Sequence, residues 1–210
     1  MDIEVYADVV CPWCYIGTRR LTEALATYDD PVTVRYRPFQ LNPAPVTEPR
    51  PLLDALAEKF GGPERVRQMT EHVTAVAARS GIELHFDRAI AANTFDAHRL
   101  VWFAERADRP LDMLEALYRA HFVDGVDLNS RSALGRVAGG IGLDEAEVRR
   151  FLDSTQGSEE VRTALRAARE LGVTSVPTFV FAGKYAVTGA QEPETLRAAL
   201  TEVRRREVTA

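Results

Sequence analysis

The stretch CPWC at positions 11–14 lies between an apolar segment, MDIEVYADVV at 1–10, and a segment of helical character, YIGTRRLTEALATY at 15–28. Apolar and polar residues alternate through 3–9, which predicts a strand, and apolar residues recur at helical spacing through 16–28. A second β-rich run, VTVRY at 32–36, follows. Together these segments predict a βαβ unit with parallel strands and a right-handed crossover.

The rest of the chain predicts a helical stretch followed by a second set of strands. The proline-rich segment NPAPVTEPRP at 42–51 is typical of an irregular connection. Periodicity favours helices over 52–60, 66–77, 94–107, 111–122, 132–138, 144–154 and 161–171, with GIELHF at 81–86 short and extended. TFVFAGKYAVT at 178–188 predicts a hairpin turning at Gly183-Lys184, and Pro193 lies in the first turn of a last helix.

This order of elements predicts an α/β fold with an inserted helical region. Neither end of the chain alone has enough strands to be stable, so we expect the two ends to build one sheet. The predicted domains are a discontinuous sheet-containing domain, residues 1–42 and 156–210, and an all-helical insertion, residues 43–155.

Composition narrows the class of protein. The chain has 210 residues, 46% hydrophobic and 27% charged, and a chain of this size does not depend on disulfides for a core. A net charge of −5 without long single-sign blocks argues against nucleic-acid binding. Met1 leads into strand-like sequence without a signal-peptide pattern, and no apolar run approaches membrane-spanning length. We expect a cytoplasmic protein that binds neither nucleic acid nor membrane.

Cys11 and Cys14 are the two cysteines of the chain. A closed zinc site needs four ligands, and the four histidines show no pairing that would complete one, so we expect no metal. A structural disulfide closing so small a loop contributes only about 2 kcal/mol and would be reduced in the cytoplasm. Burial in the core would explain one cysteine as a small apolar residue. It would not explain two cysteines at this spacing at the junction between a strand and a helix.

A redox pair fits the position of the motif best. Unpaired amides and the dipole at a helix N-terminus favour a thiolate at Cys11, and Pro12 lacks the amide hydrogen that would go unpaired there. Cys14 lies one turn on, within disulfide reach. A CxxC in a cytosolic βαβ context is a thioredoxin-like redox signature. We therefore expect Cys11 to be accessible and to attack, and Cys14 to resolve the mixed disulfide from beneath.

The segment SVPTFVF at 175–181 leaves two alternatives open. Pro177 is an ordinary proline at the entry of a strand, or it follows a cis peptide bond after Val176.

CPWC after the first strand, a helical insertion, and VPTF before a C-terminal ββα together resemble the DsbA-like branch of the thioredoxin superfamily. DVVCPWCYIG, RPFQLNP, ANTFDAHRL, GVTSVPTFVF and VTGAQ are similar to the FrnE subfamily of disulfide oxidoreductases, over positions 8–191. The resemblance implies a thioredoxin fold, βαβ…αββα with an inserted helical subdomain. It also implies a cis Pro177 facing the cysteines and a Val176 backbone that pairs with an extended substrate.

The resemblance further implies a substrate groove over Cys11, shaped by the insertion. Pro12 and Trp13 flank the sulfur, and Asn93, Thr94 and His98 match a subfamily segment near the groove. Helix capping by Asn93 or Thr94 remains the alternative. Asp8 is either a proton acceptor for Cys14 or a polar residue at the end of a strand.

The predicted function is that of a thiol–disulfide oxidoreductase or isomerase acting on protein or small-molecule thiols and disulfides. It needs no bound cofactor and is a monomer or homodimer, and the sequence leaves open which reductase, if any, recycles it. The alternative is a glutathione-dependent transferase or isomerase of the kappa or hydroxychromene-carboxylate type, with glutathione as co-substrate. Retention of Cys14 favours the first function, because the glutathione-dependent enzymes need no partner thiol.

Overall fold

The structure, a computed structural model, describes residues 1–209. The strands are β1 Asp2–Ala7, β2 Thr33–Pro38, β3 Thr178–Phe181 and β4 Tyr185–Thr188. The helices are α1 Pro12–Ala26, α2 Leu52–Phe60, α3 Pro63–Arg79, α4 Phe95–Glu105, α5 Pro110–Phe122, α6 Arg131–Gly140, α7 Glu145–Asp153, α8 Ser158–Glu170 and α9 Pro193–Thr209.

The four strands form one mixed sheet in the order β2-β1-β3-β4. β1 runs parallel to β2, with Asp2 opposite Thr33, and antiparallel to β3, with Ile3 opposite Phe181. The side chains of Ile3 and Phe181 are fully buried. The two ends of the chain therefore build one sheet, and the predicted α/β fold with a βαβ start and an αββα end is confirmed.

The helices of the predicted insertion, α2 to α7, pack onto the sheet-containing part rather than standing apart. α3 and α5 contact α1, and α4 contacts α8, which itself packs on β2. A single hydrophobic cluster runs from β1 through α1 into α4, α5 and α7. The residue boundaries 42/43 and 155/156 stay a prediction, since the buried core is continuous across them.

Two helices begin or end at the residues that the sequence suggests as helix termini. α2 ends at Gly61, whose φ of 87° is left-handed, a conformation that favours glycine. α7 begins at Asp144, whose carboxylate accepts a hydrogen bond from the amide of Glu147 at 2.6 Å. Residues 81–86 join none of the strands formed within residues 1–209; the amide of His85 instead donates to the carbonyl of Phe122.

None of the helices within residues 1–209 is both long enough and apolar enough to cross a membrane.

Candidate active site

The CPWC motif occupies the turn between β1 and α1. Cys11 is the N-cap residue of α1, with φ −98° and ψ 112°, and Pro12 is the first helical residue. The carbonyl of Cys11 accepts the amide hydrogens of Cys14 and Tyr15 at 3.0 and 3.2 Å. The Cys11 sulfur therefore sits at the start of a 15-residue helix, where the dipole favours negative charge.

Pro177 lies against the same helix. The Val176–Pro177 peptide is cis, so the second of the two alternatives for this proline is the one observed. The Cys11 sulfur donates a weak hydrogen bond to the carbonyl oxygen of Val176 at 3.8 Å. A Cβ atom added at Gly17, one turn beyond the cysteines, would stand 2.8 Å from Cγ of Pro177. The close approach of α1 to the proline thus requires glycine at position 17.

The expectation of an accessible Cys11 is wrong for the resting protein. Cys11 is only 4% exposed, and Cys14 is fully buried; both are free thiols. The half-buried side chains of Val10, Trp13 and Val176 pack against the same hydrophobic core as the pair. Cys11 keeps a slight exposure and Cys14 none, which is the order that the prediction gives.

Cys14 is held in its neutral thiol form. Burial raises the pKa of Cys14 well above its ordinary value, and the neighbouring Cys11 raises it further. A backbone hydrogen bond from Asp8 acts in the opposite direction. A sulfur in this environment needs a nearby base before it can attack, because the thiolate is the nucleophile.

Asp8 lies in the turn that precedes the motif and is fully buried. Its carbonyl accepts the amide hydrogen of Cys11 at 3.0 Å, and its carboxylate oxygen Oδ2 accepts that of Leu41 at 2.7 Å. The other oxygen, Oδ1, lies 3.3 Å from Nε2 of His98 but has no aligned hydrogen-bond donor among residues 1–209. The buried carboxylate therefore retains one acceptor position, Oδ1, that no hydrogen bond fills.

The other predicted contact residues lie at different depths. Trp13 is half-buried, with its ring tilted against that of His72 at 5.9 Å. The side-chain amide nitrogen Nδ2 of Asn93 donates to the carbonyls of Pro43 and Ala44. Its Oδ1 accepts the amide hydrogen of Phe95, the first residue of α4, at 3.0 Å, so of the two capping candidates Asn93 is the one that bonds to the helix. Thr94 is 1% exposed and is the N-cap residue of α4, without a side-chain capping bond. Capping of α4 by the Thr94 side chain is therefore not observed.

His98 is buried beside Asp8. It is 5% exposed, and its Nε2 lies 3.0 Å from the carbonyl oxygen of Phe39. Its burial argues against direct contact with substrate.

Sequence reasoning missed other buried polar groups around this region. Both ring nitrogens of His121 lack a hydrogen-bond partner among residues 1–209, and burial lowers the pKa of His121 to about 4. Burial also raises the pKa of the Tyr36 and Tyr118 phenols, which interact with the Cys14 thiol. In the sequence, the apolar periodicity of their helices or strand predicts only that these three residues belong to the core. No local sequence pattern indicates that they lie near the CPWC motif.

A metal centre finds no support in the geometry. Within residues 1–209, no three or more His, Cys, Asp or Glu side chains are grouped closely enough to hold a metal ion.

The fold recurs in known proteins. Residues 2–201 match the family described as DSBA-like thioredoxin domain. A solved structure of a probable DsbA oxidoreductase from Streptomyces coelicolor is 36% identical, with a TM-score of 0.90 over 96% of this chain and 89% of that one.

Two further solved structures share the fold at lower sequence identity. The cytosolic disulfide reductase DsbM from Pseudomonas aeruginosa, solved with GSH, is 22% identical, with a TM-score of 0.68 over 98% of this chain and 100% of that one. A 2-hydroxychromene-2-carboxylate isomerase is 19% identical, with a TM-score of 0.73 over 100% of this chain and 98% of that one. The fold is that of DsbA-like thiol oxidoreductases, and with a family match over nearly its whole length the chain belongs to the DSBA-like thioredoxin domain family.

Proposed function

We propose that this protein is a thiol–disulfide oxidoreductase or isomerase that uses Cys11 and Cys14 as its redox pair. The observation that carries the proposal is the position of the Cys11 sulfur, at the N-terminus of α1 and 3.8 Å from the carbonyl oxygen of Val176. Cys14 lies one turn deeper in the same helix and is more completely buried. This arrangement supports attack by the outer sulfur and resolution by the inner one.

In the reductive direction, the Cys11 thiolate attacks one sulfur of a substrate disulfide. A mixed disulfide forms at Cys11, and the electron pair of the broken S–S bond leaves on the other substrate sulfur, which takes a proton from water. Asp8 then accepts the proton of Cys14, and the Cys14 thiolate attacks the Cys11 sulfur. The Cys11–Cys14 bond forms, and the second substrate thiolate departs with the electron pair and is protonated.

The backbone of Val176 is the proposed docking point for an extended substrate. Among residues 1–209, its amide makes no backbone hydrogen bond, and its carbonyl accepts only the weak bond from Cys11. A substrate strand can pair with such a free edge. Pro12, Trp13 and Asn93 are proposed to border the bound segment.

We further propose membership of the FrnE subfamily and a cytoplasmic location. The five segments that resemble the subfamily support the first. The likeness to DsbM, a cytosolic disulfide reductase, supports the second by analogy. The enzyme would hold no resident cofactor, work as a monomer or homodimer, and be recycled by a separate reductase.

The second candidate function is a glutathione-dependent transferase or isomerase acting on a small molecule. It is favoured by the likeness to the hydroxychromene-carboxylate isomerase and to DsbM, whose structure was solved with GSH. In that chemistry Cys11 would activate glutathione as a co-substrate, and Cys14 would be dispensable.

Two single substitutions test the proposal. Cys11→Ser is expected to abolish reduction of insulin disulfides, because the attacking sulfur is lost. Cys14→Ser is expected to accumulate enzyme–substrate mixed disulfides, detectable as bands sensitive to reductant on non-reducing gels. Equal residual activity in the two variants would reject the assigned roles. Glutathione-dependent turnover that survives Cys14→Ala would establish the second function instead.

A further inference from the structure

A threonine lies one helical turn beyond Cys14 on α1. Side chains of a helix lean toward its N-terminus, so Thr18 stands over the same helix face as Cys14. Three helical threonines donate their hydroxyl hydrogen to the carbonyl four residues earlier, at 2.9–3.1 Å: Thr22, Thr70 and Thr201. Thr18 forms no such bond, and its buried Oγ1 has no hydrogen-bond partner among residues 1–209. The inner cysteine therefore has an uncommitted hydroxyl on its own helix face.

Tyr118, on α5, brings a second uncommitted hydroxyl to the same place. It is fully buried, and its ring stacks on that of Tyr15 with 4.9 Å between centroids and 11° between planes. Its phenol oxygen has no hydrogen-bond partner in the described part of the chain, residues 1–209. Burial most of all, and then the Cys14 sulfur, raises the pKa of Tyr118 well above its ordinary value, whereas the Thr18 hydroxyl lowers it. The phenol thus lies near both Cys14 and Thr18, and it keeps its proton at neutral pH.

These two hydroxyls destabilise the interior of the resting protein. Buried polar groups of folded proteins are nearly all paired, and an unpaired one has lost its hydrogen bonds with water without replacing them. Valine in place of Thr18, or phenylalanine in place of Tyr118, would fill the same space without this loss. The presence of both hydroxyls is explained if they acquire an acceptor at a later stage of the reaction.

The Cys14 sulfur is the neighbouring atom that becomes such an acceptor. As a thiol it accepts hydrogen bonds weakly, and as a thiolate strongly. Burial is the main cause that raises its pKa, and the Cys11 sulfur and the charge of Asp8 raise it further, against a backbone hydrogen bond from Asp8. The other titratable groups that act on it, Tyr36 from β2 and Tyr118 from α5, are phenols whose pKa burial raises, so they carry no charge. A hydroxyl that donates to the sulfur therefore offsets the main obstacle to the thiolate, which is its loss of water.

We infer that Thr18 is a catalytic residue of the resolving step, whose hydroxyl turns to donate a hydrogen bond to the Cys14 thiolate, and that Tyr118 is a positioning residue whose phenol then donates to Thr18 Oγ1. The inference rests on the proposed function, since it requires Cys14 to resolve the mixed disulfide. Rotation of the Thr18 side chain between staggered positions is the movement it needs. Neither hydroxyl gives up its proton. The Cys14 thiolate attacks the Cys11 sulfur, the Cys11–Cys14 bond forms, and the substrate thiolate departs with the electron pair of the broken bond.

Two effects of opposite sign set the size of the gain. A hydrogen bond to a buried charged group raises the fraction of Cys14 present as thiolate by about tenfold or more. The same bond makes that thiolate less nucleophilic, by about threefold at a Brønsted slope of roughly 0.4–0.5. Because burial keeps Cys14 mainly in the thiol form at neutral pH, the first effect prevails. The net gain in the rate of the resolving step is about three- to fourfold.

The test separates the two steps of one turnover. Reduced protein is mixed with an aromatic disulfide that releases one coloured thiolate when Cys11 attacks and a second when Cys14 resolves. Thr18→Val keeps the shape of the side chain and removes its hydroxyl, so the second phase should slow by about three- to fourfold near neutral pH while the first changes little. Thr18→Ser keeps the hydroxyl and removes the methyl group, and its second phase should stay close to that of the unmodified protein.

Thr22→Val is the matched control, because Thr22 lies on the same helix but is exposed and donates to the carbonyl of Thr18. It should leave both phases as in the unmodified protein. A role in packing alone predicts the opposite order, with Thr18→Val as fast as this control and Thr18→Ser slower. That order would overturn the inference while leaving the proposed function intact. Absence of any second phase in the unmodified protein would instead refute the proposed function itself.

Tyr118→Phe keeps the inference testable if Thr18→Val does not fold, because it should move stability and rate in opposite directions. Loss of an unpartnered buried hydroxyl should leave the midpoint of urea unfolding of the reduced protein unchanged or raise it. The second phase should nevertheless slow by about twofold, since a second donor strengthens the first. Tyr185→Phe, which loses an exposed bond to Glu207, is its control and should leave the rate unchanged.

The two substitutions combined test whether Tyr118 acts through Thr18. When Thr18→Val is already present, Tyr118→Phe should slow the second phase no further. Full additional slowing in the double variant would overturn the inferred order of the two donors. A second phase in Tyr118→Phe as fast as in Tyr185→Phe, or a fall in its unfolding midpoint that accounts for the slower rate, would overturn the role of Tyr118.

Discussion

Gly17→Ala probes the packing of α1 against Pro177, on which the geometry of the redox pair depends. The added Cβ would lie 2.8 Å from Cγ of Pro177 and 3.2 Å from Cζ of Phe179. The proline ring would have to recede by roughly 0.7 Å to reach the ~3.5 Å at which carbon–carbon contacts are favourable. Such overpacking costs about 1–3 kcal/mol, against a gain of about 1 kcal/mol from replacing a helical glycine by alanine. We expect a net loss of about 1 kcal/mol in the free energy of unfolding.

The same displacement should weaken activity. Moving Pro177 away from α1 carries Val176 with it and lengthens the 3.8 Å contact between its carbonyl and the Cys11 sulfur. We expect insulin reduction to slow by several-fold, alongside a fall in the midpoint of urea unfolding.

Gly139→Ala is the matched control for this experiment. Gly139 is also helical, on α6, and the nearest atoms to its added Cβ are 3.8 Å or more away. The control should gain about 0.5–1 kcal/mol from helix propensity with unchanged activity. If Gly17→Ala proved as stable as Gly139→Ala and equally active, the close approach of α1 to Pro177 would not matter and the reasoning would be refuted.

Two further predictions concern buried charged or titratable groups. Burial lowers the pKa of His121 from 6.5 to about 4. Between these pH values the unfolded chain therefore binds a proton at His121 that the folded protein does not bind. As the pH falls from 6.5 to 4, the free energy of unfolding should decrease by up to about 3 kcal/mol. His121→Gln should flatten this part of the stability–pH curve measured by urea unfolding; a curve as steep as that of His85→Gln would contradict it. Arg99, 2% exposed, donates to Asp96 and to four carbonyls between residues 151 and 156. Arg99→Met should therefore cost about 3–5 kcal/mol, against less than about 0.5 kcal/mol for the exposed Arg166→Met, and equal midpoints for the two would disprove the argument.

Much of the fold follows from short-range sequence patterns. Alternation in β1, the helical spacing after Cys14 and the turn at Gly183 each involve residues close in the chain, so the sequence predicts these elements to within a few residues. The position of CPWC at a strand–helix junction is likewise a local property, and it is confirmed.

The depth of the site is less predictable. The sequence places Cys11 at a helix N-terminus, where a side chain is often accessible, but only 4% of it is exposed, and the distant Val176 contacts its sulfur. The capping signal at Thr94 is similarly misleading, because its hydroxyl accepts a hydrogen bond from Gln40 rather than from α4. In both positions, side chains from distant segments override the local preference.

What the sequence by itself determined is the order of strands and helices, together with the placement of two thiols one helical turn apart at the start of α1. Only the tertiary structure decided what surrounds those thiols. The carbonyl of Val176 reaches Cys11 across 165 residues, and His98 reaches Asp8 from a helix outside the βαβ unit. Local sequence patterns report the backbone preference and the amphipathicity of a segment. Contacts between distant residues, such as these two, depend instead on how whole helices pack against one another. Because a protein interior leaves few voids, this packing determines which side chains become neighbours.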